Sequence, residues 1–128
     1  MKRYIPNYAK LIASLILFAL VQSSCKQKPA FNDLREIQYS TEIAPIISAN
    51  CTFSGCHGDS TFQKFKLINY DDVINAGVKS GSPETSKFYN CLKSLNNEEI
   101  MPKRPYNELS TKQIQLIYVW IGQGAKNN

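Results

Sequence analysis

The segment Cys51-Thr52-Phe53-Ser54-Gly55-Cys56-His57 packs two of the chain's four cysteines and its single histidine into seven residues. Any fold this chain adopts has to accommodate that cluster. Two kinds of chemistry use donors of this sort without further help. In an exported protein, Cys51 and Cys56 can pair as a disulfide, because the compartment is oxidising. With Cys91 added, the set becomes three sulfurs and one imidazole nitrogen, which is a zinc-like donor count.

A third chemistry is suggested by order. A histidine directly after the second cysteine, closing a short loop, is the arrangement used for covalent attachment of haem. Two thiols add to the vinyl groups of the macrocycle and the adjacent imidazole binds iron. The common loop has two residues between the cysteines, and this one has four. A low-spin electron-transfer haem takes a second axial ligand, often methionine. The chain has two methionines. Met1 belongs to a segment expected to be removed, which leaves Met101, followed by Pro102. Loop packing is the plainer role for Met101. With no second histidine, bis-histidine ligation within one chain is not available.

The front of the chain reads as a targeting segment. Lys2, Arg3 and Lys10 precede an apolar run of eleven residues from Leu11 to Val21. A membrane span needs about 20 residues, so the run suits the core of a signal peptide. Ser23 and Ser24 then precede Cys25. This resembles a lipoprotein signal over residues 1–24 with lipidation at Cys25, and the alternative is an ordinary secretory signal. The full chain has 15 basic and 10 acidic residues, and cleavage after residue 24 leaves 12 basic against 10 acidic. No basic run interleaved with aromatics points to nucleic acid. Residues 25–39 read as a tether, and residues 40–128 as one small domain with a limited core of its own.

Within that domain the patterning is helical, with no strand-length alternation. Ser40 or Thr41 is the expected cap of a first helix carrying Ile43, Ile46 and Ile47, with Pro45 tolerated in its first turn. That helix should end near Asn50. Residues 59–69 read as irregular. A short helix is expected from Tyr70-Asp71-Asp72, capped by an aspartate, to Gly77. Ser82-Pro83-Glu84 signals another start, with Phe88, Leu92 and Leu95 on one face. Residues 96–109 form a loop around Met101. Ser110 and Gln113 have the spacing of a capping box for a last helix. There Ile114, Ile117, Tyr118 and Ile121 form a stripe that Leu116, Val119 and Trp120 widen beyond one face, so more than one partner is required.

Glu42-Ile43-Ala44-Pro45-Ile46-Ile47, the Cys/Cys-His loop, Met101-Pro102, Leu109-Ser110 and Tyr118-Val119-Trp120-Ile121-Gly122-Gln123-Gly124-Ala125 together resemble the small class I cytochrome c domain. The likeness runs over residues 40–125 and is nearest to versions on bacterial lipoproteins with a four-residue spacer. The resemblance implies an all-α fold of about four helices wrapped around one covalent haem c. It makes Cys51 and Cys56 the thioether residues, His57 and Met101 the iron ligands, and Trp120 a neighbour of the haem on the last helix. Cys91 is left over, as a buried thiol or as a partner for Cys51 if only Cys56 holds the haem. The implied function is single-electron transfer at the cell envelope, by a periplasmic or outer-membrane lipoprotein that is not an enzyme. Its partners would be redox proteins of the envelope and the membrane itself, through the lipid. Lys103 and Arg104 either steer an acidic partner or form a solvated surface. Two other functions stay open: a haem-free metal-binding or redox-sensing lipoprotein, and a five-coordinate haem enzyme or sensor.

Overall fold

A computed structural model of the chain describes residues 30–58, 64–93 and 100–128. The expected signal peptide, Cys25, part of the irregular stretch after Gly58, and Leu95 lie outside the described residues. Among the described residues the fold is all-α, with no strand. A 3₁₀ turn at Phe31–Asp33 is followed by a π-helical turn at Tyr39–Ile43 that runs into α1 (Ala44–Cys51). Then come α2 (Tyr70–Asn75), a 3₁₀ turn at Pro83–Thr85, α3 (Lys87–Leu92) and α4 (Thr111–Gly122). No described helix is long and apolar enough to cross a membrane.

The entry to α1 differs from the expected cap. Neither Ser40 nor Thr41 caps it. The chain turns wide instead, with the Ile43 and Ala44 N–H groups donating five residues back to Gln38 and Tyr39. Glu42 is the reason. Its carboxylate accepts the Gln38 N–H at 3.0 Å and pairs with the Arg35 guanidinium at 2.6 and 2.8 Å, so this side chain, not a hydroxyl, satisfies the entering backbone. Pro45 sits in the first turn of α1, where a missing N–H costs nothing. α2 is capped by Asn69, one residue before the expected start, whose side chain accepts the Asp72 N–H at 2.9 Å. The Pro83 signal starts only a 3₁₀ turn. Buried Ser86 separates it from α3, accepting the Lys79 N–H at 2.8 Å and donating to the Ser82 carbonyl at 3.1 Å.

α4 is the axis of the core. The Ser110–Gln113 capping box forms as its spacing predicts. Ile117, Trp120 and Ile121 are almost fully buried, and α4 packs on the Tyr39–Ile43 turn, on α3 and on the Pro83–Thr85 turn. The breadth of its apolar surface thus finds several partners. Residues 31–39 are fastened to residues 123–128. The Gln123 amide donates to the Phe31 and Arg35 carbonyls at 3.1 and 2.9 Å and accepts the Ile37 N–H at 2.9 Å. Asn128 accepts the Tyr39 N–H at 2.8 Å, and Lys126 pairs with Glu36 at 2.6 Å. Phe31 covers Gly122 so closely that a Cβ there would strike its ring.

Candidate functional site

α1 delivers Cys51 as its last residue, and the Thr52 hydroxyl closes the helix by donating to the Ser48 carbonyl at 2.7 Å. The four-residue spacer then folds back on itself. The Cys56 N–H donates to the Phe53 carbonyl at 2.9 Å, in a turn where Gly55 has a φ of +80°. Glycine adopts that conformation without the Cβ clash other residues meet. The His57 N–H reaches the Cys51 carbonyl at 3.1 Å and closes the whole loop. Gly58 lies so tightly over Thr52 that a Cβ would strike the Thr52 carbonyl oxygen. The two residues beyond the common spacer length are therefore taken up in an outward turn, while the first cysteine and the histidine stay tied by their backbones.

Cys51, Cys56 and Cys91 are half-buried, and none is in a disulfide. Burial pushes the Cys51 thiol up to about 12, with the neighbouring Cys91 and Cys56 adding to the effect. Burial likewise pushes Cys91 up to about 11. Both are protonated at neutral pH, and the Cys91 S–H donates to the Phe88 carbonyl at 3.0 Å. The Met101 N–H donates to the Cys91 carbonyl at 2.8 Å, which brings the methionine to the end of α3. Met101 and Cys51 both pack against the common apolar core. Although the four zinc-type donors Cys51, Cys56, His57 and Cys91 are all described, no three His, Cys, Asp or Glu side chains among the described residues gather within reach of one ion.

The imidazole of His57 is held firmly. Its Nδ1 lies 2.9 Å from the Phe65 carbonyl oxygen, and its ring stacks on Phe65 at 4.4 Å. A carbonyl oxygen only accepts, so Nδ1 is the donor here, and in the neutral ring Nε2 is the nitrogen with the lone pair. Metal-binding imidazoles are commonly oriented by such a bond from the second nitrogen. The His57 carbonyl accepts the Leu67 N–H at 2.8 Å, so the backbone is fixed on both sides.

Opposite this loop, residues 100–109 run without regular structure past Met101 and buried Pro102. Tyr106 from this loop lies flat on Phe53 from the cysteine spacer, with ring centroids 4.4 Å apart and planes 6° from parallel. Neither ring was singled out as functional from the sequence. The only available signal was that Phe53 is the one large side chain in the spacer. Two surface clefts flank the region. One of ≈ 390 Å³ is lined by residues including Ala44, Ile47, Thr52 and Leu67, and one of ≈ 520 Å³ by Ile100, Pro102 and Tyr106 among others. Neither is lined by Cys51, Cys56 or His57. Trp120 is a core residue: it is 1 % exposed, its indole N–H donates to the Lys126 carbonyl at 2.9 Å, and its ring packs on Tyr39. Backbone bonds thus tie His57 to Cys51 and Met101 to Cys91, and Cys51, Cys91 and Met101 pack against the same core, while the contacts of Trp120 lie with the Tyr39 turn and residues 125–126. No family model, curated protein or solved structure matches the chain.

Proposed function

We propose that this chain is a monohaem c-type cytochrome, anchored through lipid on Cys25, that passes single electrons at the cell envelope. The observation that carries the reading is the state of His57. Its Nδ1–H is committed to the Phe65 carbonyl, so Nε2 is the nitrogen that would face iron, directly behind two cysteines that are not joined to each other. In this reading Cys51 and Cys56 would hold a haem through thioethers, and the His57 imidazole nitrogen and the Met101 sulfur would bind its iron. The haem, when bound, supplies an iron that alternates between two oxidation states and so carries one electron. The chain's own residues would hold and orient it.

Expression in a host competent for cytochrome c maturation tests this reading. The colour of the denatured protein should survive acid–acetone extraction, with one haem per chain. Colour that leaves with the solvent, or never appears, sinks the proposal in favour of a haem-free redox or metal-binding lipoprotein. Cys56→Ala should lose more haem than Cys51→Ala, because Cys56 is covalently next to His57 while Cys51 is tied to it only by one backbone hydrogen bond across the turn. Met101→Ala should lower the potential and let the reduced form bind carbon monoxide, since thioether sulfur favours reduced iron.

A further inference from the structure

We propose that the stacked rings of Phe53 and Tyr106 are a positioning pair that holds the Met101 loop closed against the cysteine loop and so keeps the methionine sulfur on the iron. The proposal rests on the cytochrome reading above and adds a role for the two unusual residues of the spacer.

The two rings belong to segments 53 residues apart in sequence. Both are large and substantially exposed, Phe53 at 37 % and Tyr106 at 38 %, so neither is placed by burial in the core. They meet at 4.4 Å and 6°, in face-to-face contact. Phe53 is presented by the Phe53–Cys56 turn, which exists because the spacer is long enough to form it. A two-residue spacer has no room for such a turn. Tyr106 is held locally by its N–H, which donates to the Lys103 carbonyl at 3.1 Å.

Met101 therefore lies between two fastenings. On one side its own N–H is bonded to Cys91 at the end of α3. On the other, five residues along the loop, Tyr106 is clamped to the cysteine spacer. Without the ring contact, the described part of the loop keeps its tie at Met101 but loses its tie to the spacer. An aromatic pair of this kind shifts an open–closed equilibrium by about 2- to 10-fold. That is enough to change ligation at an axial position without unfolding the domain.

The experiment compares Phe53→Ala and Tyr106→Ala with the ring-retaining Phe53→Tyr and Tyr106→Phe. In the haem-loaded protein, both alanine variants should keep the covalent haem. They should weaken the near-infrared sulfur-to-iron band of the oxidised form, lower the potential, and raise carbon monoxide binding by the reduced form about 2- to 10-fold. The ring-retaining variants should match the unmutated protein, and the double alanine variant should match either single one, because the pair acts as a unit. In the haem-free chain, hydrogen exchange at the Tyr106 amide should speed up in the alanine variants. Alanine variants with unchanged band, potential and exchange overturn the proposal. An unmutated protein that holds haem but is already high-spin also overturns it, since no sulfur bond then exists to be positioned. Failure of the cytochrome reading itself appears separately, as absence of covalent haem in the unmutated chain.

Discussion

Glu42 lies at the surface, yet three donors converge on it: two from the Arg35 guanidinium and one from the Gln38 backbone. The Arg35 bond first, and the Gln38 bond next, hold its carboxyl at about 2, against an ordinary 4.5. A carboxyl depressed in the folded state stabilises that state above its ordinary value, and the contribution fades as pH falls through the folded value. Unmutated protein and Glu42→Gln should therefore differ in melting temperature at neutral pH, with the gap closing between about 4.5 and about 2. High salt should narrow the gap as well, because the pair is solvent-facing. A gap that persists unchanged to the acid end of that window would assign the effect to something other than the carboxylate charge. At this scale the sequence is informative wherever chain proximity enforces spatial proximity. Cys51, Cys56 and His57 are legible for that reason. The tie of His57 to Phe65 is not, because it is made to a backbone carbonyl, which every residue has. The Phe53–Tyr106 stack is hidden because no periodic pattern links two residues in separate loops.

At the scale of elements, α4 is the most legible because its signals are local. Ser110 accepts the Gln113 N–H while the Gln113 side chain returns to the Ser110 N–H at 2.8 Å. Ser110→Ala should cost about 1 kcal/mol, read as a lower urea midpoint with unchanged slope. An unchanged midpoint would mean that packing alone fixes the start of α4. The entry to α1 was less legible because its determinants are distant. The Tyr39 and Ser40 N–H groups donate to the Asn128 side chain and carbonyl at 2.8 and 2.9 Å. Nothing in the Ser40-Thr41-Glu42 spacing signals partners so far along the chain. Pro83 starts a helical turn, but not the helix expected to run from it through Phe88 and Leu92. Ser86 turns its hydroxyl back to Lys79 and Ser82, and its backbone is extended at ψ 120°, so α3 begins afresh at Lys87.

Across the whole molecule, residues 31–39 and 123–128 form a clasp with Gln123 at its centre. Gln123→Ala removes an acceptor for Ile37 and a donor shared by the Phe31, Leu34 and Arg35 carbonyls. It should lower stability by about 1–3 kcal/mol and make residues 31–39 more open to protease. Equal protection in both proteins would shift the holding role to Phe31 over Gly122 and to Asn128. The all-α class and the helical order were legible in the sequence. The docked state of residues 31–39 was not, because polar residues that bond backbone at long range look like linker. For the lipid-anchored cytochrome we propose, that docking has a consequence for where electrons could be exchanged. Five residues lie between Cys25 and Phe31, and the six Cα-to-Cα steps reach at most about 20 Å. With lipid on Cys25, the domain patrols a thin layer at the bilayer surface, so a donor or acceptor has to arrive by moving along the membrane or down onto it. Inserting a long spacer before Phe31 would widen that layer while leaving the Cys51–His57 loop as it is.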